Sequence, residues 1–269
     1  MAFGKIPRFS PSFSPAEAWI CTKHLLGMGS GDDAVGEFEA TFAQFIGARH
    51  GVMVPSARYG LFLLLDALGI GEGDEVIVPG LTYFAIPAMV ELLGAKPVFA
   101  DIGLHSHVLD PAAFEEAITD RTKAVIPTHL FGTPCDMDAI NSIAAKHNIE
   151  VIEDCAQSTG ARYKGRRVGA IGGHAYYTFG LTKNITTLSG AMITTDDDQV
   201  AERIRTTIQS SGQSPAAKSI KEAFTGVAMF VATHPWMYWW TVHPAIVLGN
   251  AMGKDPIHER FGEAERTYD

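Results

Sequence analysis

The chain has 269 residues, is 46% hydrophobic and 19% charged, and carries a formal charge of −9. That composition excludes a disordered chain, which would be poorer in apolar residues. The acidic balance, with no run of Lys or Arg, argues against a nucleic-acid partner and for small-molecule chemistry.

Short apolar runs alternate with amphipathic stretches. Residues 51–55 read as a strand and 59–68 as a helix; 75–78 read as a strand and 84–93 as a helix. Strands follow at 97–100 and 124–127, with a helix over 111–118 between them, then a helix over 136–147 and a strand at 150–152. Strand, helix, strand in succession predicts an α/β fold: a mostly parallel sheet with helices on both faces. Ligands of such sheets sit at the carboxyl ends of the strands, which directs attention to the loops after Val54, Val78, Ile126 and Ile152. The stretch 174–195 is richer in Gly and Thr, and 197–210 reads as a surface helix.

Three cysteines, Cys21, Cys135 and Cys155, cannot all pair within the chain, and their spacing fits no zinc pattern. They read as reduced thiols. The first residues contain no apolar core of a signal peptide, so the cytoplasm is the expected location.

Residues 223–253 contain no Asp, Glu, Lys or Arg but hold Trp236, Tyr238, Trp239 and Trp240. Pro235 and Pro244 divide this run into pieces shorter than the ~20 residues of a spanning helix. Two readings remain: a patch touching a membrane surface, where Trp and Tyr concentrate, and a subunit interface or a cover under a further domain. His234 and His243 have no carboxylate or cysteine nearby in sequence, so no metal is expected.

The chemistry concentrates after Ile152. Asp154 ends a strand, where a buried carboxylate can face a ligand; alone it reads equally as a helix cap or an ion-pair acid. Residues 163–169 (YKGRRVG) alone read as a solvated hairpin. Lys183 follows an apolar strand among small uncharged residues. A desolvated lysine is a usable nucleophile toward a carbonyl, though a lone lysine is more often a surface one. An acid ending one strand, then a Thr and a Lys five residues apart, is what pyridoxal 5'-phosphate requires. That cofactor needs a lysine for its Schiff base and a carboxylate opposite the ring nitrogen. It also needs hydroxyl and N–H groups for its phosphate.

Several blocks in order resemble the DegT/DnrJ/EryC1/StrS family of nucleotide-sugar aminotransferases, from about Gly29 to Gly212. They are Gly71–Ala85 (GEGDEVIVPGLTYFA), Leu93–Ile102 (LGAKPVFADI), His129–Met137 (HLFGTPCDM), the EDCAQ beginning at Glu153, and the TKN beginning at Thr182. The resemblance implies a fold-type-I large domain with one antiparallel strand, pyridoxal 5'-phosphate as cofactor, and a homodimer with its sites at the interface. It implies transfer of an amino group, from glutamate, to a keto-sugar nucleotide for cell-envelope glycans. By the same resemblance Lys183 carries the cofactor, Asp154 pairs with its ring nitrogen, Gln157 contacts the ring or its hydroxyl, and Tyr83 lies against the ring face. Thr178 takes the place of a phosphate-binding Ser, and Asn184 follows the lysine as in the family. For Tyr83 and Gln157 the plain alternative is loop packing.

Two departures stand out. The phosphate loop, usually Ser-Gly-Thr, is Ser56-Ala57-Arg58 here; Arg58 either adds a charge-assisted contact to phosphate or crowds it. The family continues for roughly a further hundred residues, so the small C-terminal domain is expected to be largely absent and the chain is expected to be a fragment. The expected division is a cofactor-binding domain over 1–212 and, over 213–269, an apolar aromatic segment with the start of a truncated region. Two rival functions remain. One is a sugar dehydratase of the same family, which replaces the lysine with histidine. The other is a non-catalytic scaffold or regulator.

Overall fold

A computed structural model describes residues 14–28, 33–210, 216–234 and 237–251. The chain divides into two compact units, one within 30–215 and one joining residues of 1–29 to residues of 216–269.

Helix α1 (Pro15–Leu25) belongs to the smaller unit. The larger unit runs α2 (Ala34–Ile46), β1 (His50–Val54), α3 (Ala57–Ala67), β2 (Glu75–Pro79), α4 (Ala85–Leu92), β3 (Lys96–Ala100), α5 (Pro111–Glu116), β4 (Thr122–Val125), α6 (Met137–His147) and β5 (Glu150–Asp154). A short hairpin follows, β6 (Arg162–Tyr163) and β7 (Arg166–Arg167), and then β8 (Gly173–Thr178), β9 (Ala191–Thr195) and α7 (Asp198–Ser210).

Seven strands form one sheet in the order β1-β9-β8-β5-β4-β2-β3. All its pairings are parallel except those of β9, which runs against both β1 and β8. The expected single reversed strand is therefore β9. β2 (EVIVP) is buried along its whole length, the pattern of a strand covered on both faces. On one face lies a core of α3, α4 and α7 residues such as Leu61, Leu64, Val90 and Ile204. On the other face Phe114, Met137 and Ile140 of α5 and α6 form a second cluster, and Phe42 and Ile46 of α2 join Tyr177 and Phe179 in a third.

Local chemistry sets the helix ends. Ser56 caps α3 with its side chain, and Asp136 caps α6, which stops at Asn148 in the left-handed region. The helix expected to reach Ile118 ends at Glu116, where the Ala117 N–H bonds back to Ala113 and Phe114 carbonyls. The expected solvated hairpin is present as β6 and β7, but Val168 beside it is fully buried.

In the smaller unit, a capping box of Ser14 and Glu17 starts α1. His24 Nε2 lies 3.1 Å from Ser219 Oγ of α8 (Ala216–Thr233). After Pro235 and Trp236, outside the described residues, a π-helical turn over Tyr238–Val242 leads into α9 (His243–Ala251). Pro235 lies outside the described residues, and Pro244 sits at the junction where the π-helical turn passes into α9 without ending the helix. His243 stacks on the Trp239 ring at 5.9 Å. Among the described residues no helix is long and apolar enough to cross a membrane. Residues 252–269, part of the region expected to be truncated, fall outside the described residues.

Candidate active site

Because β1, β8, β5, β4 and β2 are mutually parallel, with only β9 reversed, their carboxyl ends share one edge of the sheet. Every residue expected in the site lies at this edge. Ser56, Ala57 and Arg58 follow β1, Tyr83 follows β2, and Asp154 and Gln157 end and follow β5. Thr178, Lys183 and Asn184 end and follow β8.

Asp154 is buried, and its Oδ1 accepts the Ala156 N–H at 2.9 Å. Its main chain is held on both sides: Asp154 N donates to Pro127 O at 2.9 Å, and His129 N donates to Asp154 O at 3.1 Å. Burial pushes the Asp154 carboxyl up, opposed by the Ala156 N–H, by Tyr176 and by the charge of Lys183. An acid that must ionise there needs a positive partner, which a protonated pyridine nitrogen supplies.

Lys183 is half-buried in the loop between β8 and β9, with its N–H bonded to Gly180 O at 2.9 Å. Burial lowers the basicity of its amine, and the Asp154 charge works the other way. The two groups feel one another across the edge. That pairing of a partly desolvated amine with a buried acid fits pyridoxal 5'-phosphate.

Asp154 and Ile152 lie two residues apart on β5 and therefore on one face. Ile152 packs in the α3 core, so Asp154 and the start of α3 share that side of the sheet. Ser56 Oγ accepts the Tyr59 N–H at 3.3 Å, which makes it the helix cap. First-turn N–H groups of a helix have no acceptor within the helix and suit a phosphate. Arg58 stands exposed in that turn. Thr178 is half-buried and pairs in register with Ala191.

The remaining expected residues are more peripheral. Gln157 Oε1 accepts the Phe131 N–H at 3.3 Å; Phe131 is 75% exposed and sits at φ 56°. Asn184 Nδ2 donates to Thr159 O at 3.0 Å, joining the loops after β8 and β5. Tyr83 is exposed, with its ring 4.5 Å from that of Phe84.

Behind Asp154 lies a network that sequence reasoning did not pick out. Glu153 is fully buried and accepts four hydrogen bonds. Oε1 takes the N–H groups of Ile171 (2.8 Å) and Gly172 (2.6 Å). Oε2 takes Gly169 N–H (2.7 Å) and His129 Nε2–H (2.9 Å). His129 Nδ1 accepts the Cys135 N–H at 3.0 Å, which puts the imidazole proton on Nε2. Burial opposes the Glu153 charge, but these donors hold its carboxyl below the usual range. His129, Glu153 and Cys155 bring an N, an O and an S within 4.8 Å of one another. A metal ion would have to displace three backbone donors and the His129 proton, so the trio reads as a packing network. The quoted EDCAQ and HLFG blocks contain both residues; only the fold shows that they meet.

A family model, described as the DegT/DnrJ/EryC1/StrS aminotransferase family, matches residues 24–230. The chain belongs to this family. The spore coat polysaccharide biosynthesis protein SpsC of Bacillus subtilis (strain 168) is 46% identical over 183 residues, 68% of this chain and 47% of that protein. GDP-perosamine synthase of Caulobacter vibrioides is 45% identical over 179 residues, 66% of this chain and 48% of that one. Among solved structures, the aminotransferase from Psychrobacter cryohalolentis superposes with TM-score 0.70 at 34% identity, covering 79% of this chain and 57% of its own. A GDP-4-keto-6-deoxymannose-3-dehydratase superposes with TM-score 0.70 at 27% identity, covering 75% and 54%. The chain thus matches about half the length of these curated relatives.

Proposed function

We propose that this chain carries the cofactor-binding part of a pyridoxal-5'-phosphate-dependent aminotransferase. It moves an amino group, from glutamate, to a keto-sugar nucleotide destined for a polysaccharide. The observation that carries this reading is the placement of the half-buried Lys183 and the buried Asp154 at the carboxyl ends of the neighbouring parallel strands β8 and β5.

Pyridoxal 5'-phosphate, when bound, supplies a carbonyl that exchanges amino groups and a protonated ring that draws electrons. Asp154 holds the positive charge at the ring nitrogen. Lys183 Nζ would hold the cofactor and, as an amine that desolvation keeps available in its neutral form, would serve as the base that moves a proton. The α3 N-terminus with Ser56, Ala57 and Arg58, together with the Thr178 hydroxyl, takes the phosphate. Gln157 and Tyr83 hold the ring, and Asn184 fixes the lysine loop to the loop after β5. Retention of Lys183 favours transamination over the dehydratase reading, in which histidine replaces it. In this reading the cofactor-binding domain, expected over 1–212, is the part of that range in the larger unit, and 213–269 begins a separate region. A homodimer completes the site, the cytoplasm is its location, and 223–253 gives either a membrane-surface contact or a subunit contact.

Purified protein mixed with pyridoxal 5'-phosphate is expected to turn yellow, to be bleached by borohydride with the label on Lys183, and to lose both properties in Lys183→Ala. Glutamate is expected to shift the colour as the amino group is taken up. A colourless protein that takes up no cofactor overturns the reading in favour of a scaffold.

A further inference from the structure

We propose that Tyr176 is a positioning residue for Asp154, its hydroxyl donating a hydrogen bond to the carboxylate that aims the acid at the cofactor. The inference rests on the reading above for what the acid serves, and on the sheet for the contact itself.

Tyr176 lies directly opposite Asp154 in the parallel register of β5 and β8. Both belong to the face that α3 covers, since Tyr176 and Ile152 pack in the same core. Tyr176 is 3% exposed, and its buried hydroxyl completes no hydrogen bond of regular geometry. Its neighbour Tyr177 shows the ordinary solution: that hydroxyl donates to Val168 O at 2.9 Å. A hydroxyl that only packs is a liability in a core, and phenylalanine fills the same space without it. The Tyr176 hydroxyl is coupled to Asp154, whose charge, after burial, pushes the phenol well above its usual value.

The other groups that bear on the carboxyl are already committed. Ala156 N–H is on Oδ1. His129 gives its one ring proton to Glu153. Lys183 is assigned to the cofactor. Tyr176 is the neutral donor that remains, and hydrogen bonds to a charged acceptor are the strong ones. When the ring nitrogen draws a full negative charge onto Asp154, the phenol can close on the second oxygen and fix the plane of the carboxylate.

The test compares the wild type with Tyr176→Phe, in the native and Asp154→Asn backgrounds. The Asp154 carboxyl is titrated by carbon-13 NMR in cofactor-free protein, using Asp154→Asn to assign its signal, and the pyridoxal 5'-phosphate dissociation constant is read from absorbance. Tyr176→Phe is expected to move the Asp154 midpoint upward and to weaken cofactor binding by roughly tenfold. In the Asp154→Asn background its effect on binding is expected to vanish. An unfolding midpoint equal to or above that of the wild type would show that the fold is intact. An unchanged Asp154 titration overturns the proposal, as does an equal loss of affinity in both backgrounds. If the wild type binds no cofactor but the titration still moves, the function assigned above falls while the coupling of Tyr176 to Asp154 stands.

Discussion

His129 Nε2 and Glu153 Oε2 lie 2.9 Å apart with both side chains fully buried, and His129 also bonds the main chain of the neighbouring Asp154. One histidine therefore ties the loop after β4 to both residues that end β5. The Glu153 charge is held by four donors, so replacing it with Gln turns an NH2 group toward donors that need an acceptor.

Glu153→Gln is expected to destabilise the protein by ~1–3 kcal/mol, the cost of leaving a buried donor without its acceptor, measured by urea unfolding. The folded carboxyl sits below its ordinary value. Its stabilisation is therefore present above the usual glutamate range and lost as pH falls through the folded value. The variant should accordingly show a flatter stability profile in acid. A loss under ~0.5 kcal/mol would contradict the role given to these bonds.

Asp154 has the opposite sign. Burial raises its folded value, so the stability tied to it is complete below the ordinary aspartate range and is lost as pH rises from that range through the folded value. Asp154→Asn should therefore raise the melting temperature of the cofactor-free protein at neutral pH, by ~2–4 °C for each kcal/mol relieved, while weakening cofactor binding. Calorimetry with and without pyridoxal 5'-phosphate measures both. A melting temperature that falls without cofactor would refute the electrostatic account.

Lys183 reports the same coupling. The Asp154 charge raises its basicity against the effect of burial. Removing that charge leaves the amine neutral more often, so Asp154→Asn should label faster at Lys183 with trinitrobenzenesulfonate at mildly alkaline pH. Peptide-resolved mass spectrometry follows the rate. Equal rates at Lys183 in the two proteins would separate the groups.

Gly169 stands where the Glu153 network meets the core. A Cβ there would lie 1.7 Å from the Tyr177 hydroxyl, at φ +89°. Gly169→Ala should cost ~3 kcal/mol or more through clash and strain together. Gly165→Ala, at φ +86° with nothing within 4 Å, should show backbone strain alone, ~1–2 kcal/mol. Comparing the two unfolding midpoints isolates the packing contribution.

Much of this was legible because the signals are local. The alternation of β2, α4 and β3 reads directly from apolar runs. Lys183 and Asp154 were found as residue types at a fixed spacing. The Glu153 network and the Tyr176 contact were not legible, because both depend on register. Nothing near Tyr176 in sequence marks it as the residue across from Asp154, and adjacent aromatics in a strand read simply as core. Glu153 likewise looks like one more charge until four donors converge on it from two loops.

β1 is an edge strand whose described ladder runs to β9 alone, pairing His50–Val54 with Ala191–Thr195. As the ribosome releases the chain, β1 waits for a partner encoded far downstream, and pairing so distant in sequence is slow to form. The loops that carry Ser56 and Lys183 are thus brought to one sheet edge by pairing over a long sequence separation, and a chain halted before β9 would lack the strand that joins β1 to β8.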